Sequence, residues 1–153
     1  MAASDCPCGS ALPYRACCGP LHRGEREAAD ARALMASRYA AFATKQVDYL
    51  WRTLDPEHED RARPRAEVLA GIRRSCETNR YMGLRILDHA PPDAAGVARV
   101  LFVARVFERG KDHSFVERSE FRHDGVGWRY WRGDGAMVEQ IANVDGLTLA
   151  TFP

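Results

Sequence analysis

Apolar residues recur every three or four positions between residues 29 and 43, in a stripe made of Leu34, Met35, Tyr39, Phe42 and Ala43. This period places apolar side chains on one face of an amphipathic helix, so a first helix is predicted over 29–43. A short second helix is predicted through 48–51, ahead of Pro56. A third opens at Pro64, because proline in the first helical turn lacks an N–H that would have no partner there. The inner face of this third helix is supplied by Val68, Leu69 and Ile72.

After about Tyr81 the apolar period changes to two residues, which is typical of half-buried strands. A first strand is predicted to begin at Leu84, and further strands are predicted over 97–108, 113–123 and 126–133. The turns between them are predicted at Pro91-Pro92-Asp93, Gly110-Lys111-Asp112 and Asp124-Gly125. Three helices followed by a four-strand meander predict an α+β fold, with a curved antiparallel sheet wrapped on its helices. Residues 134–153 form a tail without a firm assignment, in which 144–152 is either a fifth strand or a segment packed on the surface.

Four cysteines lie together near the start of the chain, ahead of any periodic segment. Cys6 and Cys8 enclose one residue, and Cys17 and Cys18 follow after eight more. Two close pairs of thiolates can fold around one Zn²⁺, which takes four sulfur ligands in a tetrahedron at about 2.3 Å. Residues 1–24 are therefore predicted to form a knuckle around one structural Zn²⁺, and residues 25–153 to form the α+β domain. Metal binding would supply most of the folding energy of so short a module.

Three alternatives to zinc stay open for these cysteines. Disulfide bonds are disfavoured because residues 1–5 do not resemble a secretory leader, and a reducing cytoplasm is then expected. Thiol redox motifs use two intervening residues, whereas Cys6 and Cys8 enclose one. Iron suits the same tetrahedral sulfur set as zinc. The fifth cysteine, Cys76, is interpreted as a free and partly buried thiol, and His22 as a surface residue.

The cysteine segment resembles the SEC-C motif, a zinc-binding motif, through Cys6-Pro7-Cys8-Gly9-Ser10, Tyr14 and Cys17-Cys18-Gly19. The resemblance assigns the four metal ligands to Cys6, Cys8, Cys17 and Cys18. The motif usually carries several lysines in its middle, and here the corresponding stretch has only Arg15 as a basic residue. The side chains usually credited with partner contact therefore do not transfer, which argues against docking of nucleic acid.

The rest of the chain resembles YchJ-like proteins, in which a SEC-C motif precedes a nuclear-transport-factor-2-like domain. The resemblance rests on Leu34-Met35-x-Ser37-Arg38-Tyr39-x-x-Phe42, Tyr49-Leu50-x-x-Thr53-x-x-Pro56, Phe102-Val103-Ala104-Arg105, Glu117-Arg118-Ser119-x-Phe121 and Trp128-x-Tyr130-x-x-Gly133. It implies a cone-shaped domain of three helices packed on a curved antiparallel sheet, and it implies no assigned activity. Two departures are the lack of a second SEC-C motif after residue 133 and Met82, which stands where the family usually has tryptophan.

Composition narrows the classes of function. The 153 residues carry 22 Lys+Arg against 21 Asp+Glu, a formal net charge of +1. So balanced a charge provides no field that would attract DNA or an acidic membrane surface. No apolar run approaches the roughly 20 residues needed to cross a bilayer. The sequence therefore predicts a cytoplasmic protein that binds neither nucleic acid nor membrane.

Domains of this kind often enclose a pocket between sheet and helices, and the sequence offers candidates to line it. Two-residue alternation puts Phe115, Glu117, Ser119 and Phe121 on one face of a strand, so Glu117 and Ser119 are expected to point inward. A buried carboxylate needs a partner. The expected partners of Glu117 are Arg105 on the neighbouring strand and Arg38 on the first helix, in a pocket also lined by Tyr39, Trp51 and Tyr130.

Glu117 has two interpretations. It is either half of an ion pair that fixes the sheet against the helix, or a general base or ligand anchor in the pocket. The histidines lie in predicted turns and strand ends, and His58 in a charged loop is expected to be solvated. Trp128, Tyr130 and Trp131 fall on both faces of one strand, so one of them is expected to pack against the knuckle or a second subunit of a homodimer.

Two functions follow from these observations. In the first, the protein is a non-enzymatic adaptor or ligand-binding protein, and its knuckle docks a protein partner. A four-thiolate site supports this hypothesis because it has no open coordination position for a substrate. In the alternative, the protein is a small-molecule enzyme of the lyase or isomerase type that uses Glu117 in the pocket. That alternative rests on analogy between folds and one inferred carboxylate.

Overall fold

A computed structural model describes residues 5–153, so the first four residues of the predicted knuckle lie outside the described part. The α-helices are α1 (Gly19–His22), α2 (Ala31–Ala43), α3 (Val47–Arg52) and α4 (Arg65–Thr78). The strands are β1 (Arg80–Ala90), β2 (Ala98–Glu108), β3 (Lys111–Asp112), β4 (Phe115–His123) and β5 (Trp128–Met137). Short 3₁₀ turns occur at Tyr14–Ala16, Glu59–Ala62, Val138–Gln140 and Val144–Gly146.

The predicted α+β architecture is confirmed. The three predicted helices are α2, α3 and α4, and the knuckle adds the single turn α1. Asp30 caps α2 by accepting a hydrogen bond from the amide of Ala33 at 2.8 Å. This helix contacts β1, β2 and β5, while α3 and α4 pack beside it. The helices therefore form one layer on the inner face of the sheet.

The sheet is antiparallel, with the order β1-β2-β4-β5 and the short β3 paired to β2. Phe102 of β2 faces Glu117 of β4, and Ser119 of β4 faces Gly133 of β5. Register shifts interrupt β1 in two places and the β4–β5 pair in one. Irregularities of this kind bend strands and increase their twist, which wraps the sheet around α2.

The largest differences from the sequence prediction concern the two outer strands and one turn. The first strand begins at Arg80 rather than Leu84, and the last extends to Met137 rather than ending at residue 133. The segment predicted as a turn at Gly110-Lys111-Asp112 contains β3, because the reversal occurs one residue earlier, where Arg109 and Gly110 adopt φ values of 52° and 77°. The single-residue shift lets Lys111 pair with Glu108.

The tail after β5 forms no strand and packs on the outer face of the sheet. Val144 and Phe152 are each only 8% exposed, and they pack with Leu101, Val103 and Val116. Of the two possibilities left by the sequence for 144–152, packing on the surface is therefore correct. The central strand β2 is buried on both faces, by the helices on one side and by the tail on the other.

Candidate functional site: a four-thiol knuckle and an apolar cavity

The knuckle brings its four cysteines to one point. The amide of Cys6 donates to the carbonyl oxygen of Leu12 at 2.8 Å, which folds the segment back on itself. The Sγ atoms of Cys6, Cys8, Cys17 and Cys18 all lie within 4.8 Å of one another. Two of these separations are 3.6 Å (Cys8 to Cys17) and 3.9 Å (Cys17 to Cys18). A tetrahedron with metal–sulfur bonds of about 2.3 Å has edges of about 3.8 Å, so the cluster has the dimensions of a metal site.

The electrostatics of the cluster also suit a cation. Hydrogen bonds from Cys18 and Cys6 hold the pKa of the Cys8 thiol far below its usual range. Hydrogen bonding to Cys6 and Cys8, together with burial, raises the pKa of Cys18 far above it. Without a metal, the cluster thus favours one ionised thiol and disfavours ionisation of a further one, because several negative charges would then share a small volume. A metal cation removes that penalty, since each ligand binds as a thiolate.

All five cysteines are free thiols. The separations of 3.6 and 3.9 Å in the cluster are far longer than a disulfide bond of about 2.05 Å. Cys76 lies at the end of α4, apart from the cluster, and is 4% exposed. Burial raises its pKa, so it is an unreactive thiol.

His22 is not on the surface, and that prediction is wrong. The residue is 9% exposed, and both of its ring nitrogens have protein partners. Nε2 lies 2.8 Å from the carbonyl oxygen of Ser37 and Nδ1 lies 2.5 Å from the hydroxyl of Tyr14. A carbonyl can only accept, so Nε2 carries the proton and Nδ1 accepts from Tyr14. Because both nitrogens are occupied, His22 is not a metal ligand and instead joins the knuckle to α2.

Further contacts attach the knuckle to the domain. Cys6 and Cys18 pack against Ala40 of α2. Arg52 of α3 donates to the carbonyl oxygens of Leu21 and His22 at 3.0 and 3.1 Å. The four-thiol cluster is therefore built onto α2 and α3 rather than carried on a separate arm.

A cavity of about 320 Å³ lies between the helices and the inner face of the sheet. Five of the seven residues proposed from the sequence line it: Arg38, Tyr39, Glu117, Ser119 and Tyr130. The rest of its lining is supplied by Met35, Phe42, Ser75, Asn79, Tyr81, Phe102, Ala104, Val106, Phe115 and Phe121. The site is thus mostly apolar and aromatic, with a few polar groups that converge on it, as is typical of small-molecule sites.

Trp51 and Arg105 do not line this cavity. Arg105 alternates with Ala104 and Val106, which face the cavity, so its side chain lies on the opposite face of β2. Trp51 lies on α3 beneath two arginines, with the guanidinium carbons of Arg61 and Arg65 at 4.5 and 5.8 Å from the centre of its ring.

Glu117 does point inward, but it has no ion pair with any residue among 5–153. The hydroxyl of Tyr130 donates to its Oε2 at 3.1 Å, and the hydroxyl of Ser119 donates to the same oxygen. Space for the carboxylate comes from β5, because a Cβ on Gly133 would lie 2.4 Å from Oε2. The glycine opposite Ser119 is the sequence signal for this arrangement, and it was not used in predicting the site.

Arg38, the other expected partner of Glu117, is engaged elsewhere. One of its terminal nitrogens donates to the carbonyl oxygen of Leu50 at 2.9 Å and to Oγ1 of Thr53 at 2.6 Å. Its guanidinium carbon lies 5.0 Å from the centre of the Tyr130 ring. Burial lowers the pKa of this guanidinium. Arg38 therefore ties α2 to α3 and supports the ring that binds Glu117.

Two of the three tyrosines that line the cavity, Tyr39 and Tyr130, are held as neutral phenols. Burial raises the pKa of Tyr39 to about 12, and its hydroxyl accepts from the amide of Gly83 at 2.7 Å. Burial, followed by the nearby charge of Glu117, raises the pKa of Tyr130 further. Each phenol thus serves as a hydrogen-bonding group at neutral pH.

His58 is packed inside the protein, contrary to the prediction of a solvated loop. Its side chain is 10% exposed and its ring centre lies 5.5 Å from that of Tyr130. Burial lowers its pKa. The run of charges around His58 concealed this contact, because the surrounding side chains do face solvent.

The loop between α3 and α4 contains a buried carboxylate that the sequence reasoning missed. Asp55 is 3% exposed, and Arg122 donates to its Oδ2 at 2.9 Å and to its Oδ1 at 2.5 Å. The backbone of Asp55 also donates to the carbonyl oxygen of Tyr130 at 2.8 Å. This loop therefore fixes the strand that carries Tyr130.

The aromatic residues of β5 are covered within one chain. Trp128 packs against the inner core. Trp131 lies on the other face between Arg122 and Arg132, whose guanidinium carbons are 3.9 and 3.7 Å from the centre of its ring. Within the chain, Trp131 thus packs against arginines rather than against the knuckle, and its contact with a second subunit stays a prediction.

Comparison with known proteins agrees with this architecture. The family model described as the middle NTF2-like domain of YchJ matches residues 30–133, and the SEC-C motif matches residues 4–20. The chain belongs to the YchJ family. The resemblance inferred from the sequence is thereby confirmed, and membership assigns the fold and the cysteine motif without assigning a reaction.

Similar proteins span most of the length of this family member. The UPF0225 protein YchJ of Shigella dysenteriae is 41% identical over 128 residues, which are 84% of this chain and 81% of that protein. The solution structure of a SEC-C motif containing protein from Rhodopseudomonas palustris is similar, with a TM-score of 0.73 and 37% identity, over 85% of this chain and 97% of the other. A crystal structure of a SEC-C motif containing protein from Psychrobacter arcticus shares the fold, with a TM-score of 0.71 and 21% identity, over 94% and 90% of the two chains. No helix among residues 5–153 is long and apolar enough to cross a membrane.

Proposed function

We propose that the protein binds one structural Zn²⁺ at its four thiols and holds a small ligand in the cavity, without chemistry at the metal. The carrying observation is that a closed four-thiol cluster and an open apolar cavity occupy opposite sides of α2. A four-coordinate thiolate site leaves no position for a substrate. The cavity, in contrast, has the volume and lining of a binding site. We place this function in the cytoplasm, where free thiols persist.

Zinc is proposed over iron because the segment matches the SEC-C motif, and because a site that only holds the knuckle on the domain needs no redox-active metal. The test is elemental mass spectrometry on the purified protein and on a Cys17→Ser, Cys18→Ser variant. Cys76→Ser is the matched control, because that thiol lies outside the cluster. One zinc per chain, retained in the control and lost in the variant, supports the proposal. Iron at that stoichiometry, or no metal with oxidised thiols, contradicts it.

We also propose that the knuckle docks a protein partner. A groove of about 630 Å³ runs between the knuckle, α2 and β1. Leu12 lines this groove and is 52% exposed, so it offers apolar surface to a partner. A second copy of the chain is one such partner. The test is the molar mass of the zinc-loaded protein by light scattering, with Leu12→Ser as the variant. A dimer that Leu12→Ser dissociates supports self-association, whereas a monomer at all concentrations excludes it.

The hydrogen bond from Tyr130 to Glu117 favours one second candidate, a lyase or isomerase reaction in the cavity. A carboxylate beside a phenol can move a proton between substrate atoms. Because Glu117 has no ion pair within residues 5–153, Glu117→Gln is expected to shift the melting temperature by only a few degrees. A large loss of stability would exclude a catalytic Glu117, and turnover abolished in a stable Glu117→Gln protein would support it.

A further inference from the structure

The carboxylate of Glu117 has one committed and one open oxygen. Both protein hydrogen bonds, from Ser119 and Tyr130, go to Oε2. Oε1 has no hydrogen-bond or ion-pair partner among residues 5–153, and it is not sealed from solvent as a buried orphan atom would be. A carboxylate held by two hydroxyls on one oxygen presents the other as a fixed acceptor at the cavity.

The positive charge nearest the cavity is not placed to satisfy this oxygen. Arg38 lines the cavity, but it donates to Leu50 and Thr53 and is covered by the Tyr130 ring. Glu117 has no salt bridge within 4.0 Å in the described part of the chain, in contrast to the neighbouring Glu120, which pairs with Arg99 and Arg132 on the other face of the sheet. Arg38 thus acts on Glu117 only through its charge at a distance, and the cavity keeps one carboxylate oxygen without a direct partner among residues 5–153.

The walls of the cavity favour a ligand of particular chemistry. Seven of its fifteen lining residues are aromatic: Tyr39, Phe42, Tyr81, Phe102, Phe115, Phe121 and Tyr130. Aromatic faces attract cations and also bury apolar surface. A protonated amine attached to an apolar body satisfies both features, because its N–H groups can donate to Oε1 while its body fills the space between the rings.

We propose that the cavity binds a hydrophobic amine in its ammonium form, with the ammonium on Oε1 of Glu117 and the apolar part against the aromatic wall. This inference rests on the proposed ligand-binding function and specifies the class of ligand. Gly133 leaves the space that this arrangement needs, since any side chain there would displace the carboxylate from its position beside Ser119 and Tyr130.

The test uses three probes of similar shape and different charge, 2-phenylethylammonium, 2-phenylethanol and phenylacetate. Binding to the full-length zinc-loaded protein is measured by isothermal titration calorimetry at neutral pH. A charge-assisted hydrogen bond predicts that the ammonium probe binds about 10- to 100-fold more tightly than the alcohol. Glu117→Gln is expected to remove that preference and leave the affinity for the alcohol unchanged. Glu120→Gln, a carboxylate of the same strand on the opposite face, is the matched control and is expected to keep it.

The possible failures separate this inference from the function on which it rests. If the alcohol binds as tightly as the ammonium, or if Glu117→Gln keeps the preference, the ligand class is wrong while ligand binding stands. Tighter binding of phenylacetate would assign the recognition to Arg38 instead and would also overturn the inference. If none of the probes binds, both the inference and the ligand-binding function are overturned. Melting temperature and zinc content of each variant show that it is folded.

Discussion

Replacing His22 by Phe tests whether the buried histidine, rather than the metal alone, joins the knuckle to the domain. Phenylalanine keeps the ring that packs 4.7 Å from Tyr49, and it removes both nitrogens. The carbonyl of Ser37 then keeps only the donor it has within helix α2, and the hydroxyl of Tyr14 loses its acceptor. Two lost hydrogen bonds, at about 0.5–1.5 kcal/mol each, together predict a loss of about 1–3 kcal/mol in the free energy of unfolding.

For a chain of this length the loss corresponds to a fall of about 3–12 °C in the melting temperature. The assay is thermal unfolding followed by circular dichroism with zinc in excess, with metal content measured on the same samples. His89→Phe is the control, because His89 is exposed. An unchanged melting temperature in His22→Phe would refute the reasoning. So would a variant that has lost its zinc, since that result would make His22 part of the metal site.

Three other perturbations follow from the structure. Gly133→Ala should displace the carboxylate of Glu117, because the new methyl group overlaps Oε2. The expected loss of stability in urea unfolding is about 1–3 kcal/mol. Equal stability would mean that the site can accommodate a methyl group. Asp55→Ala should cost about 2–4 kcal/mol, since it leaves Arg122 without its bidentate partner, whereas a cost near zero would show that the pair contributes only specificity. Burial lowers the pKa of His58, so as the pH falls the unfolded chain binds a proton at His58 before the folded chain does. The contribution of neutral His58 to the free energy of unfolding is therefore complete above about pH 6.5, and it is lost as the pH falls through the folded pKa. His58→Phe should then lose less stability than the wild type between pH 7.5 and 5. An identical pH dependence would contradict the lowered pKa of His58.

The parts of this protein that follow a regular pattern could be predicted from the sequence. The helix over 31–43 shows its apolar stripe, and strand β4 alternates so clearly that the inward position of Glu117 and Ser119 follows from it. The cysteine spacing likewise indicated a four-thiol cluster before any geometry was known. In each case the local pattern and the tertiary environment agree.

The errors occur where a second layer of packing hides the pattern. Arg105 was expected beside Glu117 because β2 is apolar on both faces, so alternation alone could not say which face points inward. The outer face of β2 is apolar because Val144 and Phe152 of the tail cover it. His22 and His58 were expected in solvent because their buried contacts leave no local signal: His22 bonds to Tyr14 and Ser37, and the ring of His58 packs against that of Tyr130.

Helix α2 is a wall shared by the two sites. Ser37 and Ala40 contact the knuckle. Arg38 and Tyr39, which lie between these two residues in the sequence, line the cavity. A change in the conformation or mobility of this one helical turn would therefore affect both the cluster and the cavity. Thermodynamic linkage makes any such effect reciprocal: the factor by which bound metal changes the affinity for a ligand is the factor by which the ligand changes the affinity for metal. A cavity ligand that binds more tightly to the metal-loaded protein would therefore also make the metal harder for a chelator to remove, although the two never touch.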